Sequence, residues 1–115
     1  MANTFKQISK AGVTSSDVIY TVAGSTTTVV LGLIIGNTQS SAITVTLTIS
    51  TDTSNRSGAN NEDNQPVELL TATSIPANSS LELLAGNKIV LETTDVINLT
   101  DSAAADISIS VMEIT

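Results

Sequence analysis

The chain contains no cysteine and no histidine. Lack of cysteine rules out disulfides and thiolate chemistry. Lack of histidine removes the commonest metal ligand and the side chain that shuttles protons near neutral pH. A Ser-His-Asp triad and a His/Cys zinc centre are both excluded. Phe5 and Tyr20 are the sole aromatic residues, so no ring platform exists on which sugars or bases could stack. Positive charge is scarce too: Lys6, Lys10, Arg56 and Lys88 stand against a formal net charge of −7. Binding nucleic acid requires a basic footprint to neutralise phosphates, so no nucleic-acid partner is expected, and an anionic membrane is disfavoured for the same reason. The acidity fits solubility, or a face that docks on a basic partner.

Long apolar runs are missing as well. The longest, VVLGLIIG from Val29 to Gly36, is far too short to span a bilayer. The opening MANTFKQISK carries no apolar core behind its lysines and does not read as a signal peptide. A soluble protein made in a cytoplasm is expected. At 115 residues the length suits one domain, with a core large enough to stand without metal or disulfide staples.

What the chain does have is β-branched residues in short runs, separated by turn residues every 8–12 positions or so, the pattern of a sandwich or barrel. Residues 1–14 read as a polar N-terminal arm with isolated Phe5, Ile8 and Val13, and residues 15–115 as the β domain. A strand is expected at Asp17–Val22, with Val18, Tyr20 and Val22 on one side. The next, from Thr26 to Gly36, is apolar on both faces: Val29, Leu31, Leu33 and Ile35 on one, Val30 and Ile34 on the other. That pattern marks a central strand whose second face is covered by the arm or by another subunit. Gly32 in its middle predicts a bulge or a close backbone approach. From Ser41 to Ser50 the alternation is strict, with Ile43, Val45, Leu47 and Ile49 opposite Thr44, Thr46 and Thr48, which predicts one buried and one open face.

Thr51 to Gln65 is a long polar loop. Strands are then expected at Val67–Thr73, Leu81–Leu84, Ile89–Leu91, Val96–Thr100 and in the closing ISISVMEIT. There the apolar phase switches from Ile107, Ile109 and Val111 to Met112 and Ile114, predicting a bulge or an end buried on both sides. The fold class is therefore all-β: a single-domain antiparallel β-sandwich of about eight strands, jelly-roll or Ig-like.

Few groups are left for chemistry. The carboxylate pairs Glu62/Asp63, Glu92/Asp95 and Asp101/Asp106 sit among Thr, Asn and Ser at strand ends, where solvated turn acids are expected, whereas a glycosidase needs two acids facing across a cleft. Asp52 to Asp63 has the length of an EF-hand loop, but Ser57 replaces the required glycine and Asp63 the closing glutamate. Sequons at Asn55, Asn78 and Asn98 are no more than a chain more than a quarter Ser and Thr produces by chance. No phosphate-cradling glycine loop opens a helix. No enzyme activity, metal or cofactor is expected. The Thr row has an architectural reading, since threonine favours strands yet tolerates water.

Several segments resemble a group of small all-β virion proteins of tailed bacteriophages, common among phages of marine bacteria and cyanobacteria. They are Tyr20-Thr21-Val22, the apolar strand ending Gly36-Asn37-Thr38, the alternating strand after it, Ile75 to Ser80 (IPANSS), Lys88 to Asp95 (KIVLETTD) and the terminal strand ending Glu113-Ile114-Thr115. The resemblance covers residues 17–50 and 67–115. It implies a non-enzymatic virion component, foremost a capsid decoration (cement) protein. Alternatives are a tail, neck or fibre-associated subunit, or a host-surface glycan-binding module using the 51–65 loop. The implied partners are other virion proteins, either the major capsid protein or tail and neck subunits, and further copies of the chain in a trimer or ring. Candidate interface residues are Phe5, Ile8 and Val13 of the arm, Val30 and Ile34 of the two-faced strand, and Met112 and Ile114 at the C-terminal end.

Overall fold

The computed structural model describes residues 2–51, 66–84 and 86–115. Among them are nine strands and no helix: β1 (Asn3–Val13), β2 (Ser16–Thr21), β3 (Thr27–Asn37), β4 (Ile43–Ser50), β5 (Pro66–Ile75), β6 (Ser80–Glu82), β7 (Ile89–Leu91), β8 (Val96–Asp101) and β9 (Ala105–Ile114). They form two antiparallel sheets. One runs β1-β9-β3, with β6 and β7 both pairing the far edge of β3; the other runs β2-β8-β4-β5. Taking β6 and β7 as one interrupted strand leaves four strand positions per sheet, and this order is the connectivity of a jelly roll. Of the two topologies expected, the jelly roll is the one found.

The core between the sheets follows from strand alternation. Ile43, Val45, Leu47 and Ile49 of β4 face Leu33, Ile35, Ile107, Ile109 and Val111 of the other sheet, and all are buried. The Thr side of β4 faces out, as its alternation predicts.

Three local features depart from the simple reading, and each has a backbone cause. The register of β3 against β9 shifts between Val30 and Gly32. This is the bulge that Gly32 predicts, and it reverses the phase of the strand. Val30, Leu33 and Ile35 point inward, while Val29 and Ile34 pair with the outward residues Met112 and Ser108. A second shift, between Val18 and Tyr20 in β2, buries Ile19 and leaves Val18 exposed. In β9 no bulge is needed, because the inward phase continues from Val111 to Glu113, a polar residue that breaks the apolar pattern without breaking the strand.

The segment read as an arm is the edge strand β1, paired to β9 from Asn3↔Ile114 to Lys10↔Ile107 and, past a bulge, Val13↔Ala105. Its polarity fits that position. One side meets water, and the inward Lys6 and Lys10 reach carboxylates at the open seam beside β2, in Lys6–Glu113 and Lys10–Asp17.

Candidate assembly surface

The outer face of the β1-β9-β3 sheet can be built from its registers. Phe5 pairs with Met112, Met112 with Val29, and Val29 with Val90. These four side chains lie in one row across four strands. Phe5 is 72% and Val90 60% exposed, and Met112 and Val29 are half-buried. Ile114 lies one outward step beyond the row. In the other direction are Ser110 paired with Gly32, then Ser108 paired with Ile34, and Asp106 paired with Gly36. Around this far end lies a shallow hollow of about 330 Å³, lined by Gln7, Ser9, Ala11, Ile34, Gly36 and Ser108 among others. Isolated apolar side chains are ordinary on a protein surface, but a contiguous row is the form that contact sites take.

Of the residues expected at an interface, Phe5, Ile34, Met112 and Ile114 are on this face. Val30 and Val13 are not: both are core residues, Val30 because the bulge turns it inward and Val13 because it follows the bulge in β1. Ile8 opposes Ile109 and packs against the core. Val29 and Val90 belong to the row but are not on the expected set. The signal for Val29 was Gly32, whose bulge shifts the phase of everything before it. Val90 lies in a strand of three residues, too short to display a period.

The charged groups form structural ties. Tyr20 donates through its hydroxyl to Glu113 Oε2 at 2.6 Å and is 2.8 Å from Thr28 Oγ1, while Lys6 Nζ is 2.8 Å from Glu113 Oε1. The Lys6 ammonium, then the Tyr20 hydroxyl, hold the Glu113 carboxyl below its ordinary range. Burial, then the hydrogen bond to Glu113, pushes the Tyr20 phenol up to about 12, so it remains a neutral donor. Asp95 Oδ2 accepts from the Glu92 backbone N–H at 2.9 Å and closes a turn. Asp106 Oδ1 accepts from the Gly12 N–H at 2.8 Å, where Gly12 adopts a left-handed φ of 64°. Asp101 is buried at the end of β8, and desolvation raises its pKa. It belongs to the sheet opposite Asp106. Neither pair forms two acids across a cleft.

Among the described residues no group of three or more Asp or Glu could hold a metal ion, and no helix is long and apolar enough to cross a membrane. The Glu62/Asp63 pair, the calcium-like Asp52–Asp63 run, the Asn55 sequon and the loop offered as a glycan-binding edge lie outside the described residues.

No family model matches the chain, and no curated protein matches its sequence. Solved structures share its fold. A chain from Bacillus endospore appendages, which form a family of disulfide-linked pili, matches over 97% of this chain and 84% of its own length (TM-score 0.51, 12% identity). A chain of infectious bursal disease virus, Gx strain, matches over 97% of this chain (TM-score 0.52, 12% identity). A chain of the VP2 subviral particle of the same virus matches over 96% (TM-score 0.52, 10% identity). The present chain spans about a third of each virus chain, 33% and 32%. At these identities the likeness establishes the all-β sandwich.

Proposed function

We propose that the chain is a non-enzymatic structural subunit of a tailed-phage virion, foremost a capsid decoration protein that stabilises the particle through contacts with the major capsid protein and with further copies of itself. The observation that carries this reading is the apolar row Phe5–Met112–Val29–Val90 on a solvent-facing sheet, a surface suited to being covered by protein. Asp17, Asp95, Asp106 and Glu113 support it from the other side, since they close turns and seams, and buried Asp101, which makes no such side-chain tie among the described residues, lies in the sheet opposite Asp106. The sequence resemblance to small virion proteins, and a jelly roll shared with viral and pilus chains, agree with a role in assembly. A deficit of basic residues disfavours nucleic acid and anionic membrane as partners.

A tail, neck or fibre-associated subunit is the second reading. It is favoured by the endospore-appendage likeness, in which a fibre-forming protein shares the fold over 84% of its length. The test is quantitative mass spectrometry of purified particles from the phage that encodes the chain, followed by imaging of particles lacking its gene. The decoration reading expects many copies per capsid and heads that rupture at lower temperature or lower ionic strength when the gene is deleted. Absence of the chain from mature particles overturns both readings; a copy number matching the tail, with unaltered heads, selects the second.

A further inference from the structure

Gly32 and Gly36 sit on the outward face of β3 and neither has a positive φ; Gly32 lies at the bulge against β9, a position that favours glycine, whereas Gly36 lies in regularly paired strand. A glycine inside a strand costs roughly 0.5–1 kcal/mol relative to alanine. At Gly36 nothing within this chain requires that cost. A Cβ at Gly32 would meet no atom within 4 Å, and one at Gly36 only the Asp106 carbonyl oxygen at 4.0 Å, an ordinary contact. Local geometry and internal packing therefore leave the small size of Gly36 unexplained. A surface that closes on this face from outside would explain it.

We infer that the outer face of the β1-β9-β3 sheet is the contact between two copies of this chain, with the apolar row of each copy seated in the glycine-floored hollow of the other. This rests on the structural-subunit reading and narrows its self-contact to a two-fold pair of sheet faces. Row and hollow lie on one face about 13 Å apart, the four-residue separation of Met112 from Ser108 along β9. Ser110 and Gly32 lie midway. A two-fold axis in the plane of contact, crossing the strands at that level, places each row over the partner's hollow. An isologous contact needs this kind of self-complementary patch.

Size and charge both favour a second copy. Three strands of about ten residues with the six residues of β6 and β7 beside them, at about 4.8 Å between strands and about 3.4 Å per residue, give a face of roughly 590 Å², so a pair buries about 1,200 Å², above the roughly 1,000 Å² that a specific contact requires. The charged residues at this face are Asp106, already tied to Gly12, Lys10, which lines the hollow and is paired with Asp17, and Glu82 on β6 at the edge beside Ile34. A chain of net charge −7 that docked here on a basic partner would present more acids. A nearly uncharged face instead suits another like itself.

Sedimentation velocity of the purified chain from about 5 to 500 μM provides the test. The mass is expected to double across that range. Val90→Glu and Gly36→Val, one charging the row and one filling the hollow, are each expected to weaken pairing at least about tenfold, the scale of a central contact residue. Val90 is exposed and a Cβ at Gly36 is unobstructed, so both variants keep the wild-type circular dichroism spectrum and unfolding midpoint or, for Gly36→Val, raise the midpoint.

Because the chain has no cysteine, single-cysteine variants report the geometry cleanly. Phe5→Cys mixed with Ser9→Cys is expected to cross-link through a bismaleimide reaching about 10 Å, the spacing of packed sheets, and Phe5→Cys alone is not. A chain monomeric at 500 μM, a dimer indifferent to both substitutions, or a Phe5→Cys homodimer as the dominant product each overturns the inference. A dimer that behaves as expected but is absent from virions overturns the functional reading alone, and a virion protein that is monomeric overturns this inference alone.

Discussion

Removing the Tyr20 hydroxyl by Tyr20→Phe tests how the open end of the sandwich is held. That hydroxyl donates to Glu113 at 2.6 Å and meets Thr28 at 2.8 Å, and Thr28 is fully buried. A hydrogen bond to a charged group contributes about 1.5–3 kcal/mol, and a buried partner left unsatisfied adds to the cost of deletion. The expected loss at pH 7 is about 2 kcal/mol, which at a urea m-value near 1.3 kcal/mol/M lowers the midpoint by roughly 1.5 M. The neighbouring Lys6–Glu113 pair is the larger cause of the low Glu113 pKa. Yet the Lys6 side chain is 53% exposed, and water screens most of its contribution, so Lys6→Met is expected to cost less than about 1 kcal/mol.

The sign of the pH dependence follows from Glu113. Its folded pKa is lowered, so its contribution is complete above the unfolded pKa and is lost as pH falls through the folded value. Tyr20→Phe raises that folded pKa toward normal. The gap between variant and wild type is therefore expected to be widest at pH 7 and to narrow toward pH 3. Urea titrations at both pH values decide it: a gap under about 0.5 kcal/mol at pH 7, or one that does not change with pH, refutes the account of the cluster.

Ile109→Ala removes a fully buried side chain from the middle of β9 and is expected to cost about 2–5 kcal/mol, read as a fall in the denaturant midpoint. Asp101 gives the opposite pH signature to Glu113. Its folded pKa is raised by burial, so the wild type is favoured below the unfolded pKa and loses stability as pH rises through the folded value. Asp101→Asn abolishes that slope, which chemical denaturation between pH 3 and 7 would reveal. Thr94 is β-branched with a φ of 68°, a region costing L-residues about 1–2 kcal/mol. Thr94→Gly is expected to raise the thermal midpoint, net of glycine's larger unfolded-state entropy, by the equivalent of up to about 1 kcal/mol.

The fold was legible wherever period and burial agree. Ile43 to Ile49 is a clean alternation, and the structure buries those four residues and turns the threonines out. Legibility failed where one inserted residue changes the phase. In β2 the bulge before Tyr20 exchanges Ile19 for Val18 in the core. In β3 it exchanges Val30 for Val29 on the outer face, which places one expected interface residue, Val30, in the core and an unexpected residue, Val29, in the apolar row. The sequence marks the β3 bulge with a glycine but not which side the extra residue falls on. In β1 the misreading was of polarity. An edge strand with one neighbour pairs its backbone while exposing most of its side chains, and the inward Lys6 and Lys10 hide the period that would have announced it.

The two outer faces of the sandwich differ in chemistry although they are built from the same kind of strand. On the β2-β8-β4-β5 sheet the outward row reads Ser16, Thr100, Thr46, beside Val18, Asn98, Thr48 and Glu68. Its hydroxyls are engaged locally, Thr100 with Ser16 and Thr46 with the Ala72 N–H. Such a face keeps β-branched side chains for strand stability while satisfying its polar atoms without a partner. The opposite sheet places Phe5, Met112, Val29 and Val90 in the equivalent outward positions, with Gly36 answering no packing need inside the chain. Stability alone gives no reason for the difference, since threonine would hold β3 and β7 as extended as valine does and would be better solvated. A requirement for contact on one side only does give a reason. On the proposed pairing that requirement falls on the apolar face, while the hydroxyl face stays solvated in the pair and open to a further virion partner.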